Sequence, residues 1–490
     1  MSQRLADALL KRISYLSAGA QSKIKSAIQF ASNAHEGQIR LSGAPQLNHA
    51  LEVGLYIAEL RLDSDTVIAS ILHDTVEDTP ATIKDIKSCF GATVAKLVDG
   101  VTKLDSIRIS KTWLKPFSPQ YKQVDRYENQ AETLRKMFVA MSKDIRVVII
   151  KLADRLCNLK TLSFLPEVKR LRIAQETMDI YAPIANRLGM GEFRCELEDL
   201  SFPHLMPKEY KWVKKLAVPA IEARRKYLAR VSKKLKILIE RQGVDAEITY
   251  RAKRWYSLYI KLLKHDRDIG KIYDVVALRV IVPSVEDCYN VLGIIHSLWK
   301  PLPGRIKDYI ALPKPNGYRS IHTTVFADNG VITEVQVRTP KMDRQAEFGI
   351  AAHWSYKEKG SMKKLRKTQL TWINELLRWQ SKVQKSKDVK EALALDFFSD
   401  RIFVFTPQGD AVDLPVGATP IDFAYAVHTA VGNQCAGARV NDKMVSITSA
   451  LKNGDIIEII KNRKGKPKLD WLRFVKTEHA KESIRKAAPR

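Results

Sequence analysis

The segment HDTVEDT at residues 73–79 concentrates four groups that can bind a metal or move a proton. On a helix, residues four apart share a face, so the spacing predicts that His73 lies above Glu77 and Asp74 above Asp78. Burying four such groups would be costly without a cation or a proton-transfer role to occupy them. Imidazole with carboxylates suits Mn²⁺, Mg²⁺ or iron better than a thiolate-seeking zinc site.

Two further ligands for such a cation must come from elsewhere in the chain. His49 in HALEVGLY and Asp154 in VVIIKLADRL are candidates, because both occur inside apolar helical stretches. A divalent cation would lower the pKa of a bound water and polarise a phosphoryl oxygen, with Glu77 or Asp78 as general acid or base. The alternative is a solvated helix face, but the position of His49 and Asp154 inside apolar stretches favours hydrolysis of a phosphate ester or anhydride.

A second group of functional residue types lies between residues 251 and 336. Asp274 opens a strand in YDVVALRVIV, while Glu334 and Gln336 are two apart in EVQVRT and therefore share a strand face. Carboxylates can hold Mg²⁺ or take a proton from a hydroxyl, and Tyr318 offers a ring for a nucleobase. Converging cations can neutralise a triphosphate. The other candidates here are Arg251, Lys253, Ser257, Lys261, Arg279, Arg305, Lys307, Asp308, Lys314, Asn316 and His322.

Two other interpretations of this segment can be weighed from the sequence. No G-x-x-x-x-G-K-[ST] pattern occurs, which excludes a P-loop enzyme. A merely basic surface loop would not need apolar strands that each carry one acidic residue. The pattern therefore favours a nucleotide site.

Composition agrees with anionic partners. The chain has 490 residues, with 82 Lys and Arg against 54 Asp and Glu, for a net charge of +28. Such a charge favours nucleotides or RNA as partners. A hydrophobic content of 45% excludes wholesale disorder, and no apolar run is long enough for a membrane span. Five scattered cysteines and the lack of an apolar leader predict a reducing, cytoplasmic location.

The pattern along the chain predicts several domains. Residues 1–200 have helical periodicity, and residues 208–241 form a basic helical connector with 12 Lys or Arg and 3 Asp or Glu. From residue 245, β-branched strands alternate with helices, which predicts a mixed α/β domain. Residues 361–390 are again basic, and 400–462 predict a small β-rich module with a hairpin at RIFVFTPQGDAVDLP and a short helix at ATPIDFAYAVHTAVG.

Long motifs in this sequence resemble the long RelA/SpoT homologues, the stringent-response enzymes that make and destroy (p)ppGpp. These motifs are HDTVEDT, KLADRL, GRIKDYIALPKPNGYRSIHTTV, EVQVRT and AEFGIAAHW, in family order over nearly the whole chain. The resemblance implies a multidomain α and α+β protein. Its expected parts are an all-helical HD hydrolase domain at 1–200, a helical connector at 201–245, a mixed α/β nucleotidyltransferase-like synthetase domain at 246–360, a basic helical linker at 361–398, a small β-grasp TGS domain at 399–463 and the start of a helical region at 464–490.

For the hydrolase, the resemblance implies Mn²⁺ as cofactor and removal of the 3′-pyrophosphate of (p)ppGpp. Glu77 and Asp78 match the pair that activates water, and Arg40 and Asn158 match positions that contact the nucleotide. The matching metal ligands are His49, His73, Asp74 and Asp154. The sequence departs from the family's usual R-K-S-G-E-P-Y-I-I-H-P at RLSGAPQLNHA, and Cys157 stands where the family often has His. Within that stretch Leu41 replaces a basic residue, Gln46 a tyrosine and Ala50 a proline.

For the synthetase, the resemblance implies transfer of the β,γ-pyrophosphoryl group of ATP to the 3′-OH of GDP or GTP. Arg251, helped by Arg279, matches the arginine that stacks on adenine, and Tyr318 matches the tyrosine that stacks on guanine. Asp274 and Glu334 match the Mg²⁺ and base positions. Lys253, Ser257, Lys261, Lys307 and Lys314 match phosphate-binding positions, while Asn316, His322 and Gln336 line the guanine pocket.

The sequence therefore predicts a bifunctional enzyme, and the stretch 305–308 resembles the basic motif of bifunctional members. We expect the connector around 160–240 to transmit a reciprocal switch between the two sites. His428 matches the TGS histidine that contacts deacylated tRNA on the ribosome. One alternative is a mainly hydrolytic member with a weak synthetase, and another is a ribosome- or tRNA-binding sensor with degenerate sites. The basic segments 208–241 and 361–390 fit either rRNA contacts or solvated helix faces.

Overall fold

The computed structural model describes residues 2–105, 137, 139–141, 143–314, 316–354, 401–452, 454–462 and 465–488. The predicted linker at 361–398 lies outside these residues. The chain divides into two compact units, residues 1–378 and 379–490. Within the described residues, no helix is both long and apolar enough to cross a membrane.

The first part of unit 1 is helical, as the sequence predicts. Apolar residues at helical spacing turn inward, so that Leu51, Val67 and Ile149 are completely buried between three of the helices. A π-helical turn at Thr177–Tyr181 joins two of the helices. The helices are α1 (Ser2–Arg12), α2 (Ala18–Ala34), α3 (Gln46–Glu59), α4 (Ser64–Ile71), α5 (Thr75–Asp78), α6 (Ile83–Phe90), α7 (Ala92–Asp105), α8 (Ile145–Lys160), α9 (Glu167–Glu176), α10 (Ala182–Arg187) and α11 (Gly191–Leu205).

The predicted continuous helix through HDTVEDT is wrong. Helix α4 ends at Ile71 and the four-residue α5 begins at Thr75, so His73 and Asp74 lie in the turn between them. Side chains bond the carbonyl oxygens that would accept backbone N–H groups in a continuous helix. Thr75 Oγ1 donates to Leu72 O at 2.6 Å, and His73 Nδ1 lies 2.8 Å from Ser70 O. Such local bonds compete with helical hydrogen bonding. His73 is therefore not stacked above Glu77.

A 35-residue helix, α12 (Pro207–Arg241), follows the helical part. Its apolar face belongs to the core of the next domain, where Leu228 and Leu235 pack in one cluster with Leu278 and Val337 of the sheet. The basic residues of the predicted connector occupy the remaining surface of this helix. The connector is thus anchored by its own core side chains.

The second part of unit 1 is a mixed five-stranded sheet with the order β1-β2-β5-β4-β3. Strands β2 and β5 are parallel, and the other neighbours are antiparallel. The predicted strands around 245–252, 274–282 and 331–339 are all present, whereas β4 occupies a stretch where the sequence indicated only a loop. The strands are β1 (Glu247–Ala252), β2 (Val276–Ile281), β3 (Lys307–Asp308), β4 (Ile321–Phe326) and β5 (Ile332–Arg338); the helices are α13 (Trp255–Lys264), α14 (Val285–Leu298), α15 (Pro340–Phe348) and α16 (Ala351–Trp354).

Two glycines form the junction between the helical part and this sheet. Gly189 has φ +72°, and a Cβ there would lie 2.6 Å from the carbonyl oxygen of Asn316. Gly349 has φ +54°, and a Cβ there would lie 2.2 Å from Leu188 O. Ile350 N donates to the same Leu188 O at 2.8 Å. Only glycine allows the backbones to approach so closely with this left-handed conformation.

Unit 2 is small and β-rich. The predicted hairpin is present as β6 (Arg401–Phe405) and β7 (Ala411–Pro415), and β10 (Ile457–Lys461), β8 (Cys435–Val440) and β9 (Lys443–Val445) form a three-stranded sheet. The predicted short helix is divided at His428 into α17 (Pro420–Val427) and α18 (Thr429–Asn433). Helix α19 (Glu478–Ala487) and Trp471 pack with Tyr425 in one core, so these residues belong to the same unit.

Candidate active sites

The four predicted metal ligands of the helical part meet at one point. His49 comes from α3, His73 and Asp74 from the turn before α5, and Asp154 from α8. His49 Nε2 lies 3.1 Å from Asp154 Oδ1 and 3.6 Å from Asp74 Oδ2, and His73 Nε2 lies 3.0 Å from Asp74 Oδ1. Both histidines and Asp154 are buried. Among the described residues, His49, His73 and Asp74 form a cluster whose ligand atoms lie within 4.8 Å of one another.

The hydrogen bonding of His73 shows that this cluster fits a divalent cation. Its Nδ1 lies 2.8 Å from Ser70 O, so the neutral ring carries its proton there and exposes a lone pair at Nε2. Among the described residues, that buried Nε2 makes no hydrogen bond, although two carboxylates face it. A lone pair directed at anionic oxygens is unfavourable unless a cation or a proton lies between them. Two imidazoles and two carboxylates suit a divalent transition metal.

The charges of the cluster are strongly coupled. Burial alone would lower the pKa of His73, but Asp74 and Asp154 raise it well above its ordinary value. Burial alone would raise the pKa of Asp154, but the ammonium of Lys151, 2.5 Å away, holds it well below its usual range. The site therefore keeps its carboxylates ionised and draws positive charge toward the imidazole nitrogens.

Glu77 and Asp78 lie at the mouth of the same site. Both are exposed on α5, and both line a cleft of about 500 Å³ together with His49, Asp74 and Asp154. Burial and the neighbouring Asp74 raise the pKa of Asp78. A carboxyl with a raised pKa beside a metal cluster is suited to exchange a proton with water. Arg40 and Asn158 line the cleft as well, joined by a 2.6 Å hydrogen bond.

In the sheet domain, the two predicted carboxylates are already occupied by cations and hydrogen-bond donors. Asp274 lies just before β2, and its oxygens accept from Lys253 at 2.7 Å and Lys261 at 2.6 Å. Burial alone would raise its pKa, but these lysines lower it. Asp274 is near enough that its charge opposes the ionisation of Glu334. Both groups nevertheless stay anionic, as a Mg²⁺ ligand or a base must.

A hydrogen-bonded relay runs across β4 and β5 to Glu334. His322 pairs with Gln336 in the strand register, His322 Nδ1 lies 3.2 Å from Glu334 Oε1, and Gln336 Nε2 donates to the same oxygen at 3.0 Å. On its other side His322 Nε2 lies 2.7 Å from the hydroxyl of Tyr318. Burial lowers the pKa of His322, so the neutral ring accepts from Tyr318 and donates to Glu334. The relay fixes the carboxylate that is the candidate base.

Four other predicted residues of this domain, Lys314, Asn316, Lys307 and Ser257, differ in what they contact. Lys314 places its ammonium 5.2 Å from the ring centroid of Tyr318, Asn316 Oδ1 accepts from Tyr318 N at 3.2 Å, and Lys307 is exposed on β3 opposite His322. Ser257 lies in the first turn of α13.

The two arginines predicted to stack on adenine are ion-paired in this structure. Arg251 bonds Glu192 of α11 at 3.3 Å, and Arg279 lies 3.1 Å from both Asp343 and Glu347. With its side chain only 12% exposed, Arg279 is tied to α15. Arg251 therefore remains the better candidate of the two for an adenine contact, because about a third of its side chain is exposed.

Sequence reasoning missed several residues at these sites. Lys151 could have been found, because a lysine inside the apolar run VVIIKLADRL needs a buried partner. Arg338 is completely buried, and none of its three guanidinium nitrogens makes a hydrogen bond to the part of the chain that the structure describes, although it lies near Tyr318 and Asp343. The two-residue period of β5 could have found it, because that period places Arg338 on the same strand face as Glu334 and Gln336. Gln46 was identified only as a departure from a motif, yet it bonds Asp74 at 3.0 Å.

In unit 2, His428 caps the N-terminus of α18. Its Nδ1 accepts from Ala430 N at 3.1 Å, and the side chain is exposed. The imidazole is thereby oriented at the surface, where it is available to a partner.

Three known domain families match separate parts of the chain. They are the HD domain at residues 27–191, the region found in RelA/SpoT proteins at residues 250–361, and the TGS domain at residues 402–461. The matched regions coincide with the helical part, the mixed sheet and unit 2.

Curated relatives are similar to nearly the whole chain. A GTP pyrophosphokinase of Myxococcus xanthus is 44% identical over 462 residues, which cover 94% of this chain and 60% of that protein. The bifunctional (p)ppGpp synthase/hydrolase SpoT of Escherichia coli is 43% identical over 464 residues, which cover 94% of this chain and 64% of that protein. A guanosine-3′,5′-bis(diphosphate) 3′-pyrophosphohydrolase of Aquifex aeolicus is 44% identical over 464 residues with the same shares. The chain therefore spans 60–64% of the length of these relatives.

Proposed function

Because its three domains make the chain a long RelA/SpoT homologue over the region it spans, we propose that it is a bifunctional enzyme that makes and hydrolyses (p)ppGpp. The observation that carries this proposal is that one chain brings together two separate clusters of functional groups. One is the buried His and Asp cluster of the HD domain, and the other is the group of lysines and carboxylates around Glu334.

For hydrolysis, His49, His73, Asp74 and Asp154 would hold Mn²⁺. A bound divalent cation would supply a Lewis acid that polarises a phosphoryl oxygen and makes water more acidic. Arg40 and Asn158 bind the nucleotide in the cleft, and Asp78, with Glu77 beside it, takes the proton from the attacking water. The bond between the 3′-oxygen and phosphorus breaks, pyrophosphate leaves, and the 3′-oxygen regains a proton to give GDP or GTP.

For synthesis, Asp274 and Glu334 would hold Mg²⁺, and lysines neutralise the phosphates of ATP. Tyr318 stacks on the guanine, and Glu334 takes the proton from the 3′-hydroxyl of GDP or GTP. The new bond joins the 3′-oxygen to the β-phosphorus of ATP, while the bond between the β-phosphorus and the bridging α,β-oxygen breaks and AMP leaves. The relay from Tyr318 through His322 to Glu334 links the guanine contact to the base.

The experiment sets two assays side by side on the full chain. Labelled ATP with GDP and Mg²⁺ measures synthesis, and labelled ppGpp with Mn²⁺ measures release of pyrophosphate. We expect Glu334→Gln to remove synthesis only and Asp78→Ala to remove hydrolysis only, since the residues lie in different clusters. A wild-type chain with hydrolysis alone supports a mainly hydrolytic member. Rates that both variants leave unchanged would contradict the assignment of these sites.

The TGS match and the exposed His428 support a contact with deacylated tRNA on the ribosome. Five free cysteines support a location in the reducing cytoplasm. We expect His428→Ala to weaken ribosome binding while both catalytic rates, measured without ribosomes, stay unchanged.

A further inference from the structure

We propose that Gln46 is a positioning residue that orients the metal ligand Asp74 and ties it to the nucleotide-binding side chain Arg40. The inference rests on the proposed hydrolase site, and it concerns a residue at which the sequence departs from the family's usual motif. Gln46 begins helix α3 and is half-buried at the edge of the cleft.

The hydrogen bonds around Gln46 form one continuous chain between the two metal-ligand carboxylates. Gln46 Nε2 donates to Asp74 Oδ2 at 3.0 Å, and Gln46 Oε1 accepts from Arg40 NH1 at 3.4 Å. Arg40 NH2 donates to Asn158 Oδ1 at 2.6 Å, and Asn158 Nδ2 donates to Asp154 Oδ1 at 2.6 Å. The chain therefore runs from Asp74 through Gln46, Arg40 and Asn158 to Asp154.

The chemistry of these groups allows only one orientation of each amide. A carboxylate can only accept and a guanidinium can only donate, so Gln46 and Asn158 must each turn their NH₂ toward the carboxylate and their oxygen toward Arg40. Each amide therefore bridges the guanidinium of Arg40 and one carboxylate. A leucine or methionine could fill the space of Gln46 but could not make either bond.

The bond to Gln46 fixes the rotation of the Asp74 carboxylate. Oδ1 of Asp74 lies 3.0 Å from His73 Nε2, while Oδ2 faces both Gln46 and His49. With Oδ2 held by the amide, Oδ1 stays directed toward His73 Nε2. Side chains that orient a metal ligand in this way typically change metal affinity by about 10–100-fold when they are replaced.

Arg40 extends the effect to the nucleotide side of the cleft. It bonds the oxygens of both amides at once, so its removal takes away the common anchor of the two amides that bond Asp74 and Asp154. A side chain that contacts the nucleotide therefore supports the metal site even when no nucleotide is bound. If Gln46 only filled space beside Asp74, replacing Arg40 would not change metal binding.

The test measures Mn²⁺ binding by isothermal titration calorimetry on the metal-stripped full chain without nucleotide. Asp74→Asn defines the heat that belongs to this site. Gln46→Met keeps the length of the side chain and removes its hydrogen bonds. Gln29→Met is the matched control, because Gln29 is exposed on α2, where its side chain bonds Asn33 one turn away at 2.9 Å.

We expect Gln46→Met to weaken Mn²⁺ binding by about 10–100-fold with a melting temperature close to that of the control. Arg40→Met should weaken it several-fold, and the double variant should lose less than the product of the two factors, because both act on one chain of bonds. Mn²⁺ affinity of Gln46→Met within twofold of the control would overturn the proposal, as would fully multiplicative losses. If Gln46→Met does not fold, Arg40→Met alone decides the outcome by the same criterion.

Release of pyrophosphate from ppGpp by the wild-type preparation separates this inference from the proposed function. A wild type that binds Mn²⁺ through Gln46 but releases no pyrophosphate would refute the hydrolase and leave the inference standing. A wild type that hydrolyses ppGpp, with Gln46→Met unchanged in Mn²⁺ affinity, would refute the inference alone.

Discussion

Replacing Gly189 by alanine tests whether the junction of the helical and sheet domains holds in place the loop that we propose to bind guanine. The new Cβ would lie 2.6 Å from Asn316 O, whereas an ordinary contact begins at 3.4 Å. The loop that carries Asn316 and Tyr318 must therefore withdraw by about 0.8 Å. Because the obstacle is a backbone atom, no side-chain rotation can relieve the collision.

The size of the expected effect follows from that displacement. A misplacement of about 1 Å in a catalytic site costs on the order of 10²-fold in rate, so we expect kcat/KM for synthesis to fall by about 10–100-fold. Hydrolysis should change by no more than a few-fold, since its proposed metal ligands lie on α3, α8 and the turn before α5. The assay compares synthesis from ATP and GDP with hydrolysis of ppGpp in the same preparation.

Gly243→Ala is the matched control for this variant. Gly243 also follows a helix end and has φ +75°, but a Cβ there would meet nothing within 4 Å. Both alanines bear the backbone cost of a left-handed conformation, about 1–2 kcal/mol, and only Gly189→Ala adds the collision. If synthesis falls equally in both variants, or falls in neither, the reasoning from the contact with Asn316 is refuted.

Three further predictions concern the metal site, a buried carboxyl and unit 2. Asp74→Asn should abolish Mn²⁺ binding and ppGpp hydrolysis but leave synthesis intact; a variant that still hydrolyses ppGpp at the wild-type rate would contradict the ligand assignment. Burial outweighs the nearby Arg194 and raises the pKa of Glu198 from 4.5 to about 6. Below about pH 4.5 Glu198 is protonated in both the folded and the unfolded state and costs no stability. As the pH rises from 4.5 to 6, the unfolded chain loses this proton first, so the free energy of unfolding falls. Glu198→Gln should therefore stabilise the chain by at most about 2 kcal/mol at pH 8 and by nothing at pH 4. The check is the melting temperature of Glu198→Gln at pH 8 and at pH 4, with Glu240→Gln at an exposed position as the control. An equal change in melting temperature at the two pH values would contradict the prediction. Trp471→Ala should destabilise unit 2 by about 3–5 kcal/mol, seen by calorimetry as an earlier transition, whereas Leu469→Ala at a 50% exposed position should not.

Structural features that depend on local chemistry could be predicted from the sequence. The hairpin of β6 and β7 follows from its turn residues, and the strands with β-branched residues follow from their composition. The placement of Glu334 and Gln336 on one face follows from the two-residue period of a strand, and the structure joins them by a hydrogen bond. The fold class was predicted correctly because all three domains carry strong patterns of this kind.

Features that depend on competing or long-range interactions were not readable. Apolar periodicity continues across residues 64–78, so nothing in it reveals that Thr75 and His73 take helical carbonyls and break the helix. Strand β4 was missed because it is defined by pairing with β5, some ten residues further along the chain. The bond of Gln46 to Asp74 joins residues 28 apart, a distance at which spacing carries no information.

The π-helical turn at Thr177–Tyr181 has a consequence for how this region tolerates insertions and deletions. The turn contains one residue more than an α-helical turn would, and it places Tyr181 beneath Arg155, whose guanidinium lies 4.0 Å from the ring centroid. Each residue of an α-helix rotates the chain by about 100° about the helix axis. A single deletion here would therefore rotate the side chains of helix α10, up to Gly189, by that angle. Residues 177–181 should therefore accept changes of amino-acid type far more readily than changes of length.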